Sequence, residues 1–486
     1  MVARATRGAQ GGGYSPSADA GLRQGNPLIT REKLRARPVL IPGSMSTRHT
    51  LGFAFLATSA LLAVACGAPR VTDLGGGGSG NPTPEPTSTS QNATVTYYKD
   101  VLPLVQRECA SCHTAGGAAF ALDQYDAAKP YSQPMSAAIA SKSMPPWPPD
   151  PACQHFQGER VLSDAERKIF SDWNSAGAPA GNPADAPASQ AQTGNGLGTP
   201  DRVLDGGSDY TYNPAAQQDL YWCFRLNPGI TTPTDFVAAD VQPGNKEIVH
   251  HVIVFREANG QANAVGGAGF KCDGAPGEFL FAWVPGSAAL KFPEGYGMKL
   301  QPNDRLLMQI HYHSVANAAS NVDRTAAKIY FAQTPVQKLV HVSWLGSPSI
   351  SIPANGDASS SGDCVVPNGG AEVLMTAPHM HTLATKFKAT VRTAAGADAC
   401  LIDIPKWDFG WQGGYMFPQP LQLKAGDTIT STCSWHNNTN QQVGFGEGTG
   451  QEMCFNFVYS VGTLPQYCFP GGNLFGIFAG GGMPAQ

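Results

Sequence analysis

The stretch TAPHMHTLATKF, residues 376–387, places His379 and His381 on either side of Met380 in a run that reads as a β-strand. Side chains at i and i+2 leave a strand on the same face, so both imidazoles can close on one metal ion while Met380 points the other way. An isolated pair of this kind is more often surface decoration or a pair of hydrogen-bonded core residues, so its meaning depends on partners. Working outward, short β-rich runs recur at 247–255 (EIVHHVIVF), 305–313 (RLLMQIHYH), 427–435 (DTITSTCSW) and 452–460 (EMCFNFVYS), separated by Gly, Pro and Asn turns. That spacing predicts β-sandwich architecture, and the length available predicts two sandwiches in succession, 209–345 and 346–475.

The chain of 486 residues is too long for one ordinary core, and its net charge of -4 is small for that length. Lys and Arg are scattered without a basic stripe, which excludes a nucleic-acid partner. Charged residues make up only 14%, against 56 Gly and 39 Pro, a balance that fits turn-rich β domains better than long helices.

From Met45 the chain reads as a secretory signal: a basic start at Arg48, an apolar stretch from Leu51 to Val64, and small residues before Cys66. The LAVAC ending resembles a bacterial lipobox, with Ala63 where leucine is usual, so Cys66 is the expected site of lipidation and membrane anchoring. Residues 1–44 lie awkwardly ahead of a signal, which places the expected true start at Met45. The expectation is an exported, lipid-anchored protein facing the bacterial periplasm, where disulfides survive. Residues 67–92, rich in Gly, Pro, Ser and Thr, form a tether with no means of building a core.

Residues 93–180 form a separate small module. It contains Cys109, Cys112 and His113 in a CxxCH arrangement. Two thiols one helical turn apart can link to the haem vinyl groups, and the adjacent imidazole can become an iron ligand. A zinc half-site or a CxxC disulfide is the competing reading, but no second CxxC completes a zinc cage. The run YYKDVLPLVQREC has helical apolar spacing. Downstream, SKSMPPWPPDP offers Met144 in a Pro-rich loop as the distal ligand, with Met135 as competitor. The segment resembles small cytochrome c domains of bacterial exported proteins, with LSDAERKIFSDWNSAGAP as closing helix, Ser163 as N-cap and Glu166 as its capping-box partner. A second linker is expected at 181–208. The predicted fold is thus a small mainly-α cytochrome c-like domain followed by two jelly-roll-like β-sandwiches.

The histidine pair now gains partners: His250 and His251, then His311 and His313, then His379 and His381, then Met453. In this order they resemble the copper type II, ascorbate-dependent monooxygenases, the family of peptidylglycine α-hydroxylating monooxygenase and dopamine β-hydroxylase. The resemblance implies two Cu ions: one on His250, His251 and His311 that stores and passes an electron, and a catalytic one on His379, His381 and Met453 that meets O2. A thioether favours Cu(I), in keeping with that division. Neighbours on a regular strand point to opposite faces, so joint ligation by His250 and His251 requires a twist or bulge. The family uses the first histidine of the second motif, which makes His313 a neighbour. His155, His341 and His436 have no sequence partners and are read as structural.

The resemblance also implies disulfides Cys223–Cys272, Cys364–Cys468 and Cys433–Cys454, leaving Cys153 and Cys400 unassigned. Peptide-hydroxylating members carry an arginine where Ala377 stands, and a tyrosine and an asparagine matched here by Phe457 and Phe455. A peptide carboxylate would be left unpaired, so a non-peptide, apolar or aromatic small molecule is expected. The implied function is hydroxylation of a C–H bond with O2, using ascorbate or an equivalent external reductant; the fusion to a haem module adds the expectation that the c-type haem delivers electrons to the His250, His251 and His311 copper in place of, or alongside, ascorbate. The alternative is a non-catalytic copper and haem electron-transfer, or copper-binding, lipoprotein.

Overall fold

The computed structural model describes residues 94–470, except 115–118, 189–196, 216–218, 258–265, 273, 275 and 314–319. The expected signal, Cys66 and the whole tether at 67–92 lie outside the described residues.

The N-terminal module is built on three helical stretches: 97–109 (α1), Ser132–Ala140 (α2) and Asp164–Ser175 (α3). Tyr97, Val101, Leu104 and Val105 recur at helical spacing and bury against Phe170 and Trp173 of α3. The predicted capping box is present: Glu166 N–H donates to Ser163 Oγ (3.3 Å), and Ser163 N–H donates to Glu166 Oε2 (2.8 Å).

The first β-domain has seven principal strands: Asp219–Leu226 (β1), Thr234–Gln242 (β2), Val249–Glu257 (β3), Glu278–Trp283 (β4), Tyr296–Leu300 (β5), Arg305–His313 (β6) and Ala326–Phe331 (β7). One sheet runs β1-β6-β3-β4; the other runs β7-β2-β5. Residues Arg202–Asp205, within the stretch expected to be a linker, form a strand paired with β7. The two sheets enclose one core that includes Phe236, Val241 and Ile329 on one side and Val252, Val254, Met308 and Ile310 on the other. Strand β6 is buried on both faces. Its Leu306, Met308 and Ile310 fill that core, which leaves Gln309 and His311 on the opposite face.

The second β-domain follows with His341–Gly346 (β8), Gly356–Val365 (β9), Ala371–His379 (β10), Ala384–Arg392 (β11), Asp398–Ile404 (β12), Tyr415–Leu423 (β13), Thr428–Asn437 (β14) and Phe455–Gly462 (β15). Its sheets run β13-β10-β15-β8 and β9-β14-β11-β12. Strand β14 alternates strictly: Ile429, Cys433 and Trp435 point inward, as a two-residue period demands. Strand β8 pairs with β15 in this second domain, although a boundary at 345/346 places most of it in the first.

The free face of the β1-β6-β3-β4 sheet packs on the β13-β10-β15-β8 sheet. Phe279 of β4 stacks on Phe457 of β15 with centroids 4.9 Å apart, and Trp344 of β8 meets Phe457 edge-on at 4.7 Å. This seam holds the site. All three implied disulfides form, and Cys153 pairs with Cys400, tying the N-terminal module to β12.

Candidate functional site

The first cluster depends on a miscount between two strands. His311 of β6 lies opposite His251 of β3, but the next residue, Tyr312, lies opposite Val249, so His250 is an unpaired extra residue. That bulge brings neighbouring imidazoles to one side of the sheet, as joint ligation requires. The Nδ1 atom of His251 lies 3.3 Å from that of His250 and 3.4 Å from that of His311. Ligating atoms of all three lie within 4.8 Å of one another.

Asp219 of β1 orients this group. Its carboxylate accepts from His311 Nε2 (3.0 Å), which leaves the Nδ1 lone pair facing the other two rings, and it also contacts His313 Nδ1 (2.8 Å). The bond from His311 holds the Asp219 carboxyl well below its usual range. Tyr221 stacks flat on His311, with centroids 4.4 Å apart. His313 therefore bonds to the anchor and flanks the His250 ring at 5.9 Å between centroids, outside the converging trio.

The second cluster sits at the end of β10. His379 Nδ1 donates to Gln412 Oε1 (2.7 Å) and His381 Nδ1 to the Gln451 carbonyl (3.0 Å), so both rings present Nε2 as the free donor atom. The two rings are 5.1 Å apart, and Met453 lines the same pocket. Glu452 fixes the loop carrying Met453 to the strand end carrying His381. Its buried carboxylate accepts from the backbone N–H groups of His381 (2.9 Å) and Leu383 (2.7 Å) and from Trp435 Nε1 (2.9 Å). Burial pushes this carboxyl up to about 6, against the pull of those donors. The Cys433–Cys454 bridge adjoins Met453 on its other side.

Burial lowers His250 to about 4, His379 to about 3 and His381 to about 4, and holds His251 well below the ordinary value. Neutral imidazoles at pH 7, with lone pairs converging on a common point, are the donor set a soft or borderline metal needs. The residues therefore fit copper, and Met453 fits Cu(I) better than zinc. His251 of one cluster and His379, His381 and Met453 of the other line a single pocket of about 80 Å³. Its walls include Ile253, Phe255, Trp344 and Phe457, with Glu447 as an acidic member.

Of the substrate-related positions, Ala377 lies opposite Phe457 across the β10–β15 pair, and Phe457 lines the pocket. Phe455 lies behind it in the core, against Trp344 (5.7 Å) and Phe469 (5.4 Å), and so stands as a packing residue. His155, His341 and His436 lie apart from both clusters, in contact with Glu159, the Leu464 carbonyl and Asp357. Asp219, Gln412 and Glu452 were not legible as functional. Glu452 alone left a trace, as the single charge in the run EMCFNFVYS.

In the N-terminal module, Cys109, Cys112, His113, Met135 and Met144 line one apolar cavity. Both thiols are free. His113 Nδ1 donates to the Phe120 carbonyl (3.0 Å), which leaves Nε2 unprotonated. Two thiols, one oriented imidazole and two thioethers around an apolar cavity fit a covalently held haem. Met135 and Met144 both reach it.

Comparison with known proteins bears on the two β-domains. Residues 209–319 match the N-terminal domain, and residues 347–473 the C-terminal domain, of the copper type II ascorbate-dependent monooxygenases. Dopamine beta-hydroxylase from Canis lupus familiaris is 25% identical over 273 residues, covering 49% of this chain and 42% of that protein. The Rattus norvegicus protein of the same name is 24% identical, covering 50% and 43%. Tyramine beta-hydroxylase from Caenorhabditis briggsae is 23% identical over 263 residues, covering 49% and 42%. The chain thus spans less than half the length of the curated relatives it matches. By these matches the two β-domains are similar to the paired N- and C-terminal domains of the copper type II ascorbate-dependent monooxygenases.

Proposed function

We propose that the protein is an exported monooxygenase that hydroxylates a C–H bond of a small, non-peptide substrate: substrate, O2, two electrons and two protons give the hydroxylated product and water. The observation that carries this reading is a pocket lined by His379, His381 and Met453 and by His251, a member of the separate three-histidine set. Copper, when bound, supplies the one-electron steps and the reaction with dioxygen. The chain's own groups position and exclude. Asp219, Gln412 and the Gln451 carbonyl hold the rings with their lone pairs inward, while Phe255, Trp344 and Phe457 keep the pocket apolar. Glu447 adds a negative charge at the wall that suits a cationic amine, and the names of the relatives point to arylethylamines as the first class to test.

Cys109, Cys112 and His113 would hold a c-type haem, with Met144, or Met135 as its rival, as the thioether facing it; such a group would supply one-electron transfer, with ascorbate or an equivalent as the external reductant. Tethering on one chain raises the effective concentration of that donor. Four disulfides support maturation in an oxidising compartment, in keeping with export and lipidation at Cys66.

The test is one purified sample assayed for copper, haem and oxygen consumption with ascorbate. Two coppers, a c-type haem spectrum and amine-dependent oxygen uptake with a hydroxylated product are expected, with no turnover of a C-terminal glycine peptide. Full metal content without oxygen uptake across amine and apolar compounds would leave the non-catalytic electron-transfer lipoprotein as the better reading.

A further inference from the structure

One short turn touches the haem cavity and both histidine clusters. It is Phe409–Trp411, followed by Gln412, between β12 and β13. Trp411 lines the cavity with Cys109, Cys112, His113 and Met144. Two residues earlier, the Phe409 ring lies nearly parallel to His250, with centroids 5.2 Å apart and planes 20° apart. Gln412 holds His379. The turn is fixed by Asp408, whose Oδ1 accepts from Gly410 N–H (2.9 Å) and whose carbonyl accepts from Trp411 N–H (3.0 Å). Two residues of chain span at most about 7 Å, so the two aromatic side chains are anchored close together.

We propose that Phe409 and Trp411 form the electron bridge from the haem cavity to the His250, His251 and His311 cluster. This rests on the haem relay described above and names its route. Electron tunnelling falls steeply across empty gaps, and stacked aromatic rings shorten the gaps that remain. The two-ring route ends at His250, because Phe409 meets His381 only edge-on, at 6.1 Å; a route from Trp411 through Gln412 to His379 (2.7 Å) bypasses Phe409, so Phe409→Leu separates the two. The step moves one electron and no atoms: ferrous haem becomes ferric and Cu(II) becomes Cu(I). An external one-electron reductant of the ascorbate class then restores the ferrous haem. The competing route leaves Cys112 through Gly286. A Cβ on Gly286 would come within 2.8 Å of Cys112 Sγ, and its φ of +80° also favours glycine.

The test uses the full chain loaded with ferric haem and Cu(II), without oxygen, given less than one equivalent of a fast reductant. Decay of the ferrous haem band and loss of the Cu(II) paramagnetic signal are followed together, normalised to haem and copper content. Native protein is expected to transfer the electron at a rate independent of protein concentration. Trp411→Leu and Phe409→Leu should each slow it by about tenfold or more, and Trp411→Phe should restore most of the rate. Native rates in both leucine variants would overturn the bridge while leaving the relay standing. No intramolecular transfer in native protein would overturn the relay and the bridge with it.

Discussion

The two clusters are built from similar residues and held in opposite ways. The first presents Nδ1 atoms from two interior, paired strands of a sheet, where a strand bulge and one carboxylate set the geometry. The second presents Nε2 atoms from the C-terminal end of β10 and the residues just beyond it, where an amide, a backbone carbonyl and a buried glutamate do the holding. A sheet interior resists rearrangement on changing ligand number; a strand end joined to a loop can adjust. The rigid, all-imidazole cluster therefore suits electron storage, and the adjustable one with a thioether suits a metal that must accept a new ligand.

Breaking the second cluster has the largest expected effect. Met453→Leu keeps the packing volume and removes the only sulfur donor of the site. Cu(I) affinity of that site should fall by more than about 100-fold, beyond the roughly 10–100-fold range of groups that merely orient ligands. Competitive Cu(I) titration should show one tight site remaining.

Acid should come next. In metal-free protein, His250, His379 and His381 take protons only near pH 4, 3 and 4, whereas the unfolded chain takes them near 6.5. Their stabilising contribution is complete above 6.5 and is lost as the pH falls from there toward 4. Glu452, raised to about 6, works in the opposite sense: its contribution is present below about 4.5 and is lost as pH rises through 6. Three histidines outweigh one carboxylate, so the melting temperature of the metal-free protein should drop between pH 6.5 and 4. That corresponds to a few kcal/mol. Glu452→Gln should make the drop steeper.

Asp219→Asn tests whether the first cluster depends on its single anchor. Copper affinity there should fall by about tenfold, with the second site unchanged, as read by isothermal titration. His313→Ala is the smallest change: the side chain is 43% exposed, its hydrogen bond goes to the anchor, and its ring only flanks His250, with centroids 5.9 Å apart. An effect of about twofold or less on the same affinity, within the usual range for surface positions, would mark it as a neighbour.

How far the sequence carried this reading depended on the range of the interaction. The CxxCH motif and the Ser163–Glu166 cap are local and could be read directly. The β runs were visible through their alternation, and the ligands through two HxH spacings and a lone methionine. The bulge could be required at His250 but not located, because it exists only in the register with β6. Asp219 meets His311 from 92 positions away, and Cys153 meets Cys400 across 247, so neither leaves a pattern in either segment. Strand β8 pairs across the 345/346 boundary without a local signal for the same reason: its partners lie more than 100 residues downstream.

The placement of His250 has one more consequence. Because its position depends on a one-residue excess in β3 over β6, deleting a single residue just upstream would restore regular pairing and turn that imidazole toward the far side of the pleat. Every donor would still be encoded, yet the trio would be reduced to a pair. Length variation in this short segment is therefore as damaging as loss of a ligand, and a count of conserved histidines among related chains would miss it.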